Sequence, residues 1–200
     1  MSNLHSYSFL HSREVRSQVI RHQPCVIWFT GLSGAGKSTI ASLVEQLLIA
    51  AGCQTHLLDG DDFRETFGKD LGFSDSDRSK NIRRAAEVAK ITTDAGLIAI
   101  AAFISPFRKD REMARRLVGE TKFIEVFVEA PLALAESRDP KGLYKRARRG
   151  DLKNFTGIDS PYETPLNPEL SLDTVSVAAP ALAQMVLDRL KTDRIIADAL

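Results

Sequence analysis

The run Cys25-Val-Ile-Trp-Phe-Thr-Gly31-Leu-Ser-Gly-Ala-Gly-Lys37-Ser38-Thr39 decides the fold of this 200-residue chain. Its apolar first part, Cys25 to Thr30, reads as a buried strand, and its second part fits G-x-x-x-x-G-K-[ST]. The segment that follows, Ser38 to Ala51, carries Ile40, Leu43, Val44, Leu47, Leu48 and Ala51 at the spacing of one helical face. A strand, a glycine loop and a helix in that order make a phosphate cradle. The glycines let backbone N–H groups turn on an anion, and the helix N-terminus adds partial positive charge. The loop Gly31, Leu32, Ser33, Gly34, Ala35, Gly36, Lys37, Ser38 and Thr39 is therefore expected to hold a nucleoside triphosphate, with Lys37 reaching the β- and γ-phosphates and the Ser38 hydroxyl on Mg2+.

Outward from this run, strands and helices alternate. Gly52 ends the first helix, glycine being favoured just past a helix C-terminus. Gln54 to Asp59 reads as a second strand, followed by a polar loop. Asp75 or Ser76 is a suitable cap for a long helix that runs to about Ala95 and is closed by Gly96. Leu97 to Ile104 (LIAIAAFI) is a continuous apolar run of the kind buried on both faces of a parallel sheet. Phe107 to Val118 reads as a charged helix, Lys122 to Glu129 as a fourth strand, and Pro131 to Arg138 as a short helix. Leu170 to Val175 reads as a fifth, edge strand and Ala178 to Leu190 as a closing helix. The pattern implies a three-layer α/β fold of the P-loop NTPase type, a central five-stranded parallel sheet covered on both sides. Ligands in such sheets sit beyond the carboxyl ends of the strands. Residues 24–200 are expected to form a single domain. Residues 1–23 read as a polar arm with a short helix from Arg13 to Arg21, laid over the domain or at a subunit contact.

The composition, 44% hydrophobic and 26% charged, is ordinary for a globular protein, and a net charge of +1 sets up no field that favours nucleic acid or membrane. LIAIAAFI is too short to span a bilayer, and the N-terminus lacks a basic-then-apolar signal pattern. Cys25 and Cys53 have neither framework nor zinc spacing; they read as thiols of a reducing cytoplasm, with a regulatory disulfide between them as the alternative. His5, His11, His22 and His56 are scattered and suggest no metal site.

Asp59-Gly-Asp-Asp-Phe-Arg64 follows directly on the second strand and should project from the same sheet edge as the glycine loop. Gly60 permits a tight turn. Three carboxylates this close repel one another unless Mg2+ or Arg64 offsets them. Asp61 is placed to accept a proton from a substrate hydroxyl, while Asp59 either orients the loop or binds the metal through water. Arg78 and Asn81 share one face of the long helix, which presents a guanidinium fork and an amide. Ser105 falls at the carboxyl end of the third strand. Residues 139–167 break the alternation. The cluster Lys141, Lys145, Arg146, Arg148, Arg149 and Lys153 reads as a basic lid over polyanions. A solvated surface loop is the bland alternative, and an RNA-binding patch lacks the interleaved aromatics it would need.

Together these segments resemble the adenylylsulfate kinase (APS kinase) family over about Arg13 to Leu190. The resemblance is carried by FTGLSGAGKST, LDGDDFR, LGFSDSDRSKNIRR, AFISPFR, DPKGLYKRAR, KNFTGIDSPYETP and NPELSLDT. The first is shared by many kinases; the other six, in this order and spacing, are specific. The resemblance implies transfer of the γ-phosphoryl group of ATP to the 3'-hydroxyl of adenosine 5'-phosphosulfate, a Mg2+ requirement and a homodimer, and leaves coupling to ATP sulfurylase open. By motif match, Arg64, Phe73, Arg78 and Asn81 would hold adenosine phosphosulfate, with Ile104 and Ser105 at the strand end and Lys141 and Phe155 closing from the lid. Phe73 and Phe155 would sandwich its adenine, a contact of about 1–3 kcal/mol per base. A phosphoserine intermediate assigned within the family falls on Ser105, which reads as a contact first and a carrier second for want of an activating base.

Two positions depart from the family pattern. Asn154 stands where the lid phenylalanine is often preceded by Gly, and Asn tolerates left-handed backbone. Asp62 stands where many members carry Asn and adds charge near the metal. The other readings are another small-molecule P-loop kinase, acting on a sugar acid or a nucleoside, and a catalytically silent nucleotide-binding regulator. The paired phenylalanines argue against a small sugar acid. Intact Lys37, Ser38, Asp59 and Asp61 argue against the regulator.

Overall fold

Strand β1 (Val26–Thr30) is the middle strand of a five-stranded sheet in a computed structural model that describes residues 22–197. The other strands are β2 (Thr55–Asp59), β3 (Ile98–Ala102), β4 (Phe123–Glu129) and β5 (Leu170–Asp173). Their order is β2-β3-β1-β4-β5, every pair is parallel, and Val26 lies between Ala99 and Phe123. The helices are α1 (Lys37–Ala50), α2 (Gly60–Thr66), α3 (Asp75–Asp94), α4 (Arg108–Val118), α5 (Leu132–Arg138), α6 (Leu143–Arg148) and α7 (Ala179–Thr192).

All residues of β1 and β3 are buried, as their unbroken apolar runs require of strands covered on both faces. Alternation divides the core into two. Ile27, Phe29, Ile98, Ile100 and Val126 pack with Ile40, Val44 and Leu48 of α1 and Leu182 and Val186 of α7. On the other face Val26 and Trp28 meet Ala85, Ala86 and Ala89 of α3 and Ala114 of α4. Small residues on the helices leave room there for Trp28, whose ring stacks on Phe103 at 5.5 Å and on Phe123 at 5.6 Å.

The structure corrects several local expectations. The long helix α3 is capped by Ser74, whose hydroxyl accepts from Asp77 N at 3.2 Å, and not by Asp75 or Ser76. The segment after β2 is the helix α2 and not a polar loop. Asp59 caps it by accepting from Asp61 N at 2.9 Å, and Asp61 and Asp62 favour its first turn. Gly60 is needed for space and not for a tight turn: a Cβ there would lie 3.1 Å from Ala102 O and 3.3 Å from Phe103 Cδ1. Strand β5 stops at Asp173, short of Val175. The segment 139–167 contains α6, whose start is tied by Asp139 accepting from the N–H groups of Tyr144 and Lys145, each at 3.1 Å.

The arm proper and its Arg13 to Arg21 helix lie outside the described residues. His22, which the expected boundary put in the arm, is buried against the domain and accepts from Gln54 N at 3.2 Å. Cys25 and Cys53 are both in the core, and burial pushes the Cys53 thiol up. Among the described residues no helix is long and apolar enough to cross a membrane.

Candidate active site

The carboxyl ends of the strands open into one cleft of 1360 Å³. It is lined by Ser33, Gly34, Ala35, Gly36, Lys37, Ser38 and Thr39, and by Asp59, Asp61, Arg64, Phe73, Arg78, Asn81, Ile104, Ser105, Lys141 and Phe155. Of the site residues expected from sequence, Gly31 and Leu32 alone are not in the lining.

The glycine loop is shaped by close packing against α5. Gly34 has φ 74, and a Cβ there would fall 2.7 Å from Ala135 O, so only glycine fits. The loop's carbonyls are held from outside: Arg138 Nη1 donates to Gly34 O (3.4 Å) and Ala35 O (3.3 Å), and Tyr144 Oη donates to Ser33 O (2.9 Å). Drawing carbonyls toward cations and hydroxyls is the polarity that an anion cradle built of N–H groups requires. Lys37 is buried, and its amine donates to Gly31 O (3.0 Å) and Leu32 O (2.8 Å). Desolvation lowers its pKa to about 7; the charge of Asp59 opposes that shift and Lys141 adds to it.

Ser38 Oγ donates to Asp59 Oδ2 at 2.6 Å, so a hydroxyl and a carboxylate from two elements stand side by side beside the loop. Among the described residues no group of three or more His, Cys, Asp and Glu could hold an ion. A hydroxyl and a carboxylate beside a phosphate loop are hard oxygen donors of the kind that Mg2+ takes.

The acidic turn is offset by a different cation from the one expected. Asp61 pairs with Lys141 of the lid. Arg64 instead donates to Gly72 O at 3.0 Å and lays its guanidinium 4.4 Å over the Phe73 ring. Arg78 donates from Nε to Phe73 O at 3.1 Å and from Nη2 to Asn154 O. Burial lowers the pKa of both arginines, and the charge of Arg64 further lowers that of Arg78. Two half-desolvated guanidinium groups in one wall favour an anion. Asn81 is buried in the same wall, and its Oδ1 has no hydrogen-bond partner.

Phe155 is buried in the lid and packs edge-on against Tyr144, with centroids 4.9 Å apart. Asn154 before it has φ 58, the left-handed conformation expected of Asn in that place. The Asp159 carboxylate fixes the turn by accepting from the N–H groups of Asn154 (2.7 Å) and Phe155 (2.5 Å). Ser105 is 1% exposed with φ 39, and its Oγ accepts from Trp28 Nε1 at 3.1 Å.

Sequence reasoning missed one wall of the cleft, Thr174 to Ala179 with Leu182, and the clamp Arg138, which donates from Nη2 to Thr174 O at 2.8 Å. The signal was present. The segment leaves the carboxyl end of an expected edge strand, where ligands bind.

The family model for adenylylsulphate kinase matches residues 23–173. The adenylyl-sulfate kinase of Aeromonas hydrophila is 53% identical over 191 residues, 96% of this chain and 97% of that one. The structure of the Mycobacterium tuberculosis APS kinase in complex with AMPPNP and APS matches with a TM-score of 0.82 at 44% identity, covering 85% of this chain and 99% of that one. A hexameric APS kinase from Thiobacillus denitrificans matches with a TM-score of 0.66 at 33% identity, covering 88% of this chain and 30% of that one.

Proposed function

The chain belongs to the adenylylsulphate kinase family and is a phosphotransferase, and from that premise we propose that its cleft moves the γ-phosphoryl group of ATP to the 3'-hydroxyl of adenosine 5'-phosphosulfate (APS). The products are ADP and 3'-phosphoadenosine 5'-phosphosulfate. The observation that carries this reading is the single cleft joining the phosphate loop to the wall of Arg64, Phe73, Arg78 and Asn81. Its 1360 Å³ exceeds the roughly 300–1,000 Å³ of a pocket for one small ligand. That size suits two nucleotides meeting phosphate to sugar.

In this reading the loop Gly31 to Thr39 binds the triphosphate, and the Lys37 amine meets the charge that develops on the transferred group. Ser38 and Asp59 would hold Mg2+, which would supply neutralisation of the phosphate charge. Arg64 and Arg78 bind the phosphosulfate, and Phe73 and Phe155 take the adenine faces. Asp61, held at the cleft by Lys141, orients the 3'-hydroxyl and accepts its proton. Ser105 serves as a contact and not as a phosphoryl carrier: its hydroxyl is buried and turned to the Trp28 indole, and no base stands in its hydrogen bonds to activate it. The same reading makes the chain a cytoplasmic homodimer and leaves coupling to the ATP sulfurylase that makes its acceptor open.

A coupled ADP-release assay tests the proposal. ADP should appear with ATP, Mg2+ and APS together and fall to background when APS is replaced by a sugar acid or an unsubstituted nucleoside. Release that is independent of APS, or no release with it, contradicts the reading.

A further inference from the structure

Ile104, Ser105 and Pro106 line the acceptor side of the cleft, and each of their carbonyl oxygens is held from behind. Thr30 Oγ1 donates to Ile104 O at 2.8 Å, Arg111 Nη1 to Ser105 O at 2.7 Å, and the Glu163 backbone N–H to Pro106 O at 2.8 Å. Ser105, at φ 39, occupies backbone that a serine keeps only where its surroundings over-determine it.

Those surroundings are a strap, residues 160–164, that continues directly from the lid turn fixed by Asp159. The Tyr162 hydroxyl lies 2.9 Å from Thr30 Oγ1. Threonine has one hydroxyl proton and Thr30 directs it at Ile104 O, so the phenol is the donor. The Tyr162 ring stacks on Phe127, which fixes its approach. Glu163 Oε2 accepts from Arg108 N at 2.7 Å and so caps α4, whose N-cap residue Phe107 offers no side-chain acceptor. Glu163 O accepts from Arg111 Nη2 at 2.7 Å, and Arg111 Nε is anchored on buried Glu125 at 2.6 Å. None of Thr30, Arg111, Tyr162 and Glu163 lines the cleft.

We infer that Tyr162 and Glu163 are positioning residues that hold the Ile104 to Pro106 rim in the shape that receives the acceptor nucleotide. The inference rests on the proposed reading of that rim as part of the APS site. The strap's hydrogen bonds through Tyr162 and Glu163 end on Thr30, Pro106, Arg108 and Arg111, and none of them falls on the loop Gly31 to Thr39 itself. Its loss should therefore divide the two substrates, which a general loss of stability would not do.

The test is steady-state kinetics on Tyr162→Phe, Glu163→Ala and Glu163→Gln, with a melting curve for each. Glu163→Ala should raise KM for APS about tenfold, the equivalent of one lost hydrogen bond, with KM for ATP within about twofold of wild type. Glu163→Gln keeps an oxygen acceptor for Arg108 N and should restore most of the loss. Tyr162→Phe keeps the ring against Phe127 and should show the same split, which carries the test if Glu163→Ala does not fold. Unchanged KM for APS in Tyr162→Phe, or both KM values rising together with a falling melting temperature, overturns the inference. A wild-type enzyme without APS turnover would strike the functional reading instead.

Discussion

Lys37 carries the sharpest tension at the scale of single residues. Its amine is buried against two loop carbonyls, and desolvation brings its pKa down to about 7 from the model-compound value of 10.5. A bound triphosphate puts several negative charges beside it and should return the pKa toward its ordinary range. The sign follows from linkage. Between the lowered and the restored value the free protein holds fewer protons than the complex, so binding takes up a proton and affinity falls as pH rises through that window. Calorimetry of ATP binding at about pH 8, in buffers of different ionisation enthalpy, should show net proton uptake, since a group of pKa about 7 is then mostly neutral. Binding with no buffer dependence contradicts this. The meeting of Lys37, Ser38 and Asp59 in one cleft was legible from sequence, because the loop motif and the end of β2 put them at the same sheet edge. The Asp61–Lys141 pair was not, because a lid cation and a turn carboxylate are joined only by the fold.

Among elements, one carboxylate ties the entry to the edge strand β5 to two neighbours. Glu169, just before it, accepts from Arg115 of α4 at 2.8 and 2.7 Å and from Glu125 N of β4 at 2.7 Å. Burial acts to raise its pKa, but the Arg115 and Glu125 hydrogen bonds outweigh it and hold the carboxyl below its ordinary value. A depressed carboxylate stabilises the fold above the unfolded pKa, and that contribution is lost as pH falls through the folded pKa. Glu169→Gln should therefore lower unfolding free energy by about 1.5–3 kcal/mol at neutral pH, as for a charge-assisted hydrogen bond, measured by urea titration. The difference from wild type should shrink as pH falls through the depressed pKa and the Glu169 carboxyl becomes neutral like the amide. A gap that is independent of pH assigns the effect to packing. Sequence located each strand to within a residue or two. It misread α2 as a loop because two turns of helix are too short for a periodic signal, although Asp59 and the acids after it were a cap written in plain view. It stopped short of the Thr174 to Ala179 wall because a segment without periodicity gives no sign of what it faces.

For the molecule as a whole, parallel topology brings the phosphate loop, the acidic turn, the α3 wall and the rim after β3 to one sheet edge, and the lid spans them. The architecture was readable because alternating strands and helices admit few arrangements. The lid's hold on the loop was not. The Tyr144–Ser33 bond links positions whose approach depends on how α6 packs, and Phe155 is seated on that same tyrosine. The central claim is that two nucleotides share one cleft and meet between Lys37 and Asp61. A crystal structure of the chain with a nonhydrolysable ATP analogue and APS tests it most directly. The account predicts the APS 3'-hydroxyl within hydrogen-bond reach of Asp61 and about 3–3.5 Å from the γ-phosphorus, in line with the leaving oxygen. An APS molecule bound outside the Arg64, Phe73, Arg78 and Asn81 wall, or with its 3'-hydroxyl turned away from that phosphate, would contradict it.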